Sequence, residues 1–181
     1  MRGAILALAV LLFCAGSALA QAMPAKDTPQ RGMLGGCEAF KWPLDKERAS
    51  FESAELEMIA SGAARGTLTE QAFGLVLQPV AEVGYVLPPA KKKGASGTQY
   101  GGMVVFAAPD KPGTYQVTLS GEGWIDLVQD GASLKAVDHS GVKDCPGLRK
   151  SVRFNVGAAP VALQISGSPA DSVKVAVRPV E

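Results

Sequence analysis

The chain predicts an all-β protein: an antiparallel β-sandwich of jelly-roll or Ig-like type, with about eight strands and a short N-terminal helix. Three observations carry this. Short runs alternate apolar with polar residues, among them Phe73/Leu75/Leu77, Tyr115/Val117/Leu119, Val152/Phe154/Val156, Val161/Leu163/Ile165 and Val173/Val175/Val177. A period of two puts one face of each strand against a core. The runs recur at roughly ten-residue spacing with turn residues between them, as sandwiches and barrels require. Composition agrees, since 21 Gly and 12 Pro with only 6% aromatic residues suit many turns and few helices.

The N-terminus reads as a secretory signal over residues 1–20. Arg2 supplies the positive start, an apolar run follows through Phe13, and Ala18-Leu19-Ala20 is an A-x-A cleavage site. The run is too short to span a bilayer, which takes about 20 apolar residues. Phe13 stands where a lipid-attachment motif around Cys14 needs a small residue. The mature chain is expected in the periplasm or outside the cell, with no membrane insertion once the signal is gone.

Loss of Arg2 leaves 17 Lys+Arg (18 less one) against 17 Asp+Glu. A neutral chain lacks the basic footprint of a nucleic-acid binder and the attraction to an anionic membrane. Cys14 leaves with the signal as well, so Cys37 and Cys145 remain and are expected to pair in an oxidising compartment. Closing a loop of roughly 100 residues stabilises by about 4–5 kcal/mol in chain-entropy terms.

Residues 21–36 are polar and punctuated by Pro and Gly, and read as a flexible leader to a single domain over 37–181. The following segment predicts a helix over 43–52. Pro43 suits a first helical position, Asp45 and Glu47 lie near the positive end, and Leu44, Arg48 and Phe51 share a side. Leu44 and Phe51 are expected to pack it on the sandwich, with Trp42 covering the adjoining core edge.

Residues 56–66 are small and polar enough to continue a helix or to form a loop. Residues 79–97 read as loop, with Pro88-Pro89 stiff and Lys91-Lys92-Lys93 a solvated tip. Met103 to Ala107 is continuously apolar and predicts a buried strand. From Gly113 to Val156 the pattern predicts an antiparallel meander. Ser120-Gly121-Glu122-Gly123 makes one turn, and Asp130-Gly131 supplies the two positive φ angles of a type I′ hairpin.

At GTYQVTLSGEGWIDLVQDG, followed by KSVRFNVGAAPVALQISG and VKVAVRP, the layout resembles bacterial pre-peptidase C-terminal-type β-sandwiches. That resemblance covers the C-terminal part of the chain and implies a module that accompanies or binds other molecules. The longer set CEAFKWPLDKERASF, GWIDLVQDG and DHSGVKDCPGLRKSVRF resembles small exported alphaproteobacterial proteins without established activity. To that group dioxygenase-type labels, homogentisate dioxygenase among them, are attached.

The residues argue against such a label. A facial-triad iron site needs two His and a carboxylate, and His139 is the one histidine in the chain. The same count fails catalytic zinc sets. Asp138-His139-Ser140 holds the residue types of a hydrolase triad, but neighbours in a strand point to opposite faces. No nucleophile elbow, Walker loop or dinucleotide fingerprint is present in the sequence. Asp126, Asp130, Asp138 and Asp144 offer paired carboxylates or oxygens for Ca²⁺, but turns collect Asp for their geometry and the spacing is irregular. The expectation is a chain with no cofactor, no metal and no catalytic residues.

Binding is the remaining chemistry. With Ile125 and Leu127 facing the core, Trp124 and Asp126 face away, and an aromatic face beside a carboxylate would suit a sugar. With Trp124 inward, Asp126 becomes a buried acid in need of Arg149 or Arg153. The expected role is a non-catalytic accessory or binding module for a periplasmic protein. The alternatives are a small-ligand or glycan binder using Trp124, Asp126, Trp42 and Tyr100, and an enzyme of unrecognised type using the acidic loops.

Overall fold

A computed structural model describes residues 35–90 and 98–180. The expected signal, nearly all of the expected leader and the lysine triplet lie outside the described residues. Among the described residues one α-helix, α1 (Asp45–Glu52), precedes twelve strands: β1 (Met58–Ala60), β2 (Ala63–Thr67), β3 (Gln71–Val76), β4 (Gln78–Pro79), β5 (Tyr100–Ala107), β6 (Gly113–Leu119), β7 (Trp124–Gln129), β8 (Ala132–Ser133), β9 (Ala136–Gly141), β10 (Lys150–Val156), β11 (Val161–Ser168) and β12 (Ser172–Pro179). They form the two packed sheets of a sandwich. The first runs β1-β3-β12-β6-β10-β9, and the second β2-β5-β11-β7-β8, with β4 also on β5. Stripped of β1, β2, β4 and β9, this is the strand order of a jelly roll, in which each sheet draws alternately on early and late strands.

The alternating runs turn their apolar members inward as expected. Phe73, Leu75, Val117, Leu119, Leu127, Phe154, Leu163, Ile165 and Val175 belong to one buried cluster between the sheets. The strands beyond the expected eight or so are short, at three, five, two and two residues for β1, β2, β4 and β8. At that length an alternation has no room to show. The ambiguous 56–66 stretch becomes β1 and β2, which turn at Gly62 with φ +90° and join different sheets. Both pair in parallel, β1 with β3 and β2 with β5. The sandwich is therefore antiparallel except at these two edges.

The meander is not formed. β6 pairs with β10 and β12 in the first sheet, while β7 pairs with β11 and β8 in the second. Ser120 to Gly123 thus carries the chain across the sandwich rather than turning a hairpin. Alternation shows that a strand has one core face but not which neighbour completes it. The local turn is as read: Asp130 and Gly131 have φ of 53° and 74° and close β7 onto β8.

The helix starts at Asp45, because Leu44 has φ −125° and ψ 29° and acts as its non-helical N-cap. Leu44 and Phe51 do pack it down, with Lys174 donating to the Phe51 carbonyl at its C-terminal end. The docking site is the outer face of the first sheet. There Phe40, Trp42, Leu44, Phe51, Val142, Leu148 and Ala176 make a second apolar cluster. Trp42 belongs to this cluster and not to the edge of the inter-sheet core. The disulfide Cys37–Cys145, spanning 108 residues, pins the start of the segment.

Candidate functional site

Outward positions of the first sheet carry a polar network beneath the N-terminal strap. Arg153 of β10 and Arg178 of β12 both stand opposite Gln116 of β6, so three adjacent strands bring them into one row. Two positions along, on the same face, Thr118 meets Ser151, and their hydroxyls are 2.9 Å apart. The Trp42 indole donates to the Ser151 hydroxyl at 3.2 Å. Its ring lies under the Arg153 guanidinium, 4.0 Å from centroid to Cζ. Arg153 Nε donates to Gln116 Oε1 at 3.0 Å, and Gln116 Nε2 donates to Glu47 Oε1 at 2.6 Å.

Glu47 is 2% exposed, and Arg178 approaches it at 3.8 Å and Glu70 at 4.0 Å. Beside this row opens a cleft of about 170 Å³, lined by Trp42, Pro43, Gln116, Arg153, Arg178 and the chain at 179–180. Among the described residues the Arg153 Nη nitrogens have no hydrogen-bond partner and Arg153 has no carboxylate partner.

Outward positions of the second sheet lie under a different strap, residues 80–90. Gln164 of β11 is 1% exposed and fully engaged. Its Oε1 accepts from the Val86 and Leu87 amides at 2.7 and 3.2 Å, and its Nε2 donates to the Leu87 carbonyl at 3.0 Å. Tyr85 donates to the Ile165 carbonyl at 2.9 Å. Its hydroxyl also sits where a side chain on Gly101 would have to be, 1.9 Å from an ideal Cβ there. Burial, and then the nearby Asp126 charge, push its pKa up to about 12.

Trp124 and Asp126 face outward, since Ile125 and Leu127 belong to the core. Yet Asp126 is only 8% exposed. The Trp124 indole donates to its Oδ1 at 3.0 Å and the Ala90 amide to its Oδ2 at 3.1 Å. Arginine is not its partner: Arg149 pairs with Glu122 at 3.2 Å and Arg153 belongs to the Trp42 row. Trp124 is half-buried, with the Lys150 ammonium 5.1 Å from its ring. Trp124 and Lys150, together with Ile125, Ala136, His139 and Val152, line a smaller cleft of about 120 Å³.

Of the four sequence-predicted binding residues, the structure joins only Trp124 and Asp126. Trp42 lies on the opposite outer face, 7% exposed, and Tyr100 is half-buried against the inter-sheet core. The acids of the supposed meander separate too. Asp130 sits in a turn, Asp144 accepts from the Gly36 amide at 3.0 Å, and Asp138 pairs with Lys41 at 2.6 Å. The Lys41 hydrogen bond, then that of the His139 amide, hold the Asp138 carboxyl below its usual range.

Ser140 accepts from the Lys41 amide at 3.1 Å on that same side, while His139 lines the small cleft. Among the described residues no three His, Cys, Asp or Glu side chains gather as a metal-binding group. Among them no helix is long and apolar enough to cross a membrane.

The sequence offers Arg153 only as a partner for Asp126 and Glu47 only as a helix-start acid, and gives no sign of Arg178, Gln116 or Gln164 as site residues. In the sequence Gln116, Arg153, Arg178 and Gln164 are polar members of alternating runs, indistinguishable from solvent-facing positions. Glu47 looked like a dipole partner at a helix start. Only register and the straps reveal them. Comparison of the chain with family models, with curated proteins and with solved structures yields no match.

Proposed function

We propose that this chain is an exported, non-catalytic binding module whose recognition surface is the cleft on the outer face of the first sheet. The carrying observation is the Arg153 guanidinium. Its Cζ lies over the Trp42 ring at 4.0 Å from the centroid, its Nε is held by Gln116 at 3.0 Å, and its two terminal nitrogens have no hydrogen-bond partner among the described residues. A guanidinium fixed in this way is a recognition group prepared in advance, because the entropy of ordering it is spent on folding and not on binding. Export is supported by the disulfide, since such bonds persist where thiols are oxidised, and by the signal-like N-terminus. The absence of catalysis is supported by the separation of Asp138 and Ser140 from His139.

The test is paired affinity capture from a periplasmic extract on the immobilised chain and on its Arg153→Gln variant, with proteins and small molecules both identified. A species retained by the parent and lost on the variant supports the reading. Equal retention on both, or chemical conversion of the retained species by the parent chain, overturns it.

A further inference from the structure

We infer that this cleft binds a small organic carboxylate, with Arg153 as the anion anchor and Trp42 as its support. The inference rests on the binding-module reading and gives it a ligand class.

Charge comes first. Two guanidiniums reach the cleft, and they are not equivalent. Arg178 has Glu47 at 3.8 Å and Glu70 at 4.0 Å, while Arg153 has no acid among the described residues. The Gln116 amide that separates them is neutral and already spent, its nitrogen on Glu47 and its oxygen on Arg153. Both acids thus lie on the Arg178 side, and among the described residues Arg153 is the guanidinium of the cleft lining that no carboxylate meets, which makes it the place for an anionic group.

Geometry selects the kind of anion. The contact with the Trp42 ring and the Nε bond to Gln116 hold the guanidinium in place, and its two Nη groups are left as a planar fork of N–H donors. A carboxylate meets such a fork with two hydrogen bonds in one plane. The indole cannot swing away, because its own N–H is tied to Ser151, and Ser151 to Thr118. Strand spacing near 5 Å puts the Arg153 and Arg178 Cα atoms roughly 10 Å apart across Gln116. The two are thus close enough to share one small ligand.

Size and lining complete the class. The cleft of about 170 Å³ has room for on the order of six waters at their liquid volume of about 30 Å³ each. That is enough for a carboxylate on a short chain or a single ring. Pro43, Pro179 and Val180 give the carbon part an apolar wall.

The experiment is a titration of the disulfide-bonded chain with benzoate, its neutral isostere benzamide, acetate and inorganic phosphate. It is followed at the Trp42 indole N–H and the backbone amides by NMR. Benzoate should shift Trp42, Gln116 and Arg153 saturably, acetate should compete, and benzamide should not bind. Arg153→Gln should weaken benzoate about tenfold or more, the loss expected for a charge-assisted fork. Arg149→Gln, on the same side of the molecule but paired with Glu122, should leave it unchanged.

Arg153→Lys keeps the charge without the fork and should fall between, so the test survives if the glutamine variant does not fold. The inference is overturned if no carboxylate perturbs Trp42, if benzamide binds as well as benzoate, if phosphate displaces benzoate at equal concentration, or if the Arg153 variants bind as the parent does. Should carboxylates fail while affinity capture still returns an Arg153-dependent species, the ligand class falls and the binding module stands. Failure of both removes both.

Discussion

The outer face of each sheet is covered by a strap of chain, the N-terminal segment with α1 on the first and residues 80–90 on the second, but the two straps treat the polar groups beneath them differently. On the second sheet the strap of residues 80–90 satisfies Gln164 and Asp126, while Ser166 Oγ, outward on β11, is buried without a partner among the described residues. Gln164 makes three hydrogen bonds to the backbone above it, and both Asp126 oxygens accept one. Under the N-terminal strap the groups are linked but not closed. Arg153 has idle donors, and Glu47 Oε2 and Arg48 Nε are buried without a partner among the described residues. A saturated buried network stiffens a fold, whereas one with idle donors has something left to offer a ligand. The physics of burial is the same on both faces; what differs is whether the covering chain supplies the last hydrogen bonds.

Detaching one strap without touching the other separates the two faces most sharply. Cys37→Ser removes the covalent pin at the start of the N-terminal strap and leaves residues 80–90 unaltered. With the cysteines 108 positions apart in sequence, the chain-entropy argument sets the loss at about 4–5 kcal/mol. For a chain of this size that is a fall in melting temperature on the order of 10 °C. Trp42 emission should shift to the red and amides near Phe40 should lose exchange protection, while Val86 and Leu87 keep theirs. An unchanged melt in non-reducing buffer would show that the apolar cluster of Phe40, Leu44 and Phe51 holds the strap by itself.

The reverse perturbation acts on the second sheet. Gln164→Leu conserves volume but strips partners from the Val86 and Leu87 amides and the Leu87 carbonyl. These groups are partly buried, so water restores some of what is lost, and the net cost should be about 2 kcal/mol. Urea denaturation measures it, and hydrogen exchange should show opening confined to residues 80–90. If benzoate binding at the Trp42 cleft changed as well, the two faces would be coupled through the core, and the contrast drawn between them would fail.

The two faces also differ in how far the sequence announces them. Which residues point outward was legible on both, because alternation is local: Ile125 and Leu127 inward implies Trp124 and Asp126 outward. That Asp126 is nonetheless buried was not legible, since residues 80–90 carry no apolar period to mark them as a cover. On the first sheet, the Cys37–Cys145 pair and the buried Leu44 and Phe51 were readable from compartment and helical spacing.

The Arg153–Gln116–Arg178 row was not readable. It exists only because β6 pairs with β10 and β12, and the expected meander would have put β7 beside β6 instead. Ser120 to Gly123 is as good a hairpin sequence as it is a crossover between sheets. Strand choice there is settled by the fit of distant core residues. A binding row assembled across three strands is a product of register, and register is not a local property.

The smallest effect sought is the pH response of the closed face. A tyrosine in an unfolded chain ionises at about 10, and Tyr85 in the fold at about 12, raised first by burial and then by the Asp126 charge. Between those values the folded chain keeps a proton that the unfolded chain has released. Tyr85 therefore costs nothing below pH 10, weighs progressively against the fold as pH climbs from 10 to 12, and adds no further penalty above that. Tyr85→Phe should flatten this part of the alkaline stability curve and remove the latest-rising tyrosinate absorbance. Asp126→Asn should bring that absorbance to lower pH by deleting the neighbouring charge. Neither change should disturb benzoate at Arg153, which stands on the opposite outer face. Superimposed tyrosinate curves for parent and Tyr85→Phe across pH 10 to 12 would mean that this hydroxyl is not held as the hydrogen bond to Ile165 implies. The second strap would then be looser than the first, and the contrast between closed and open faces would invert.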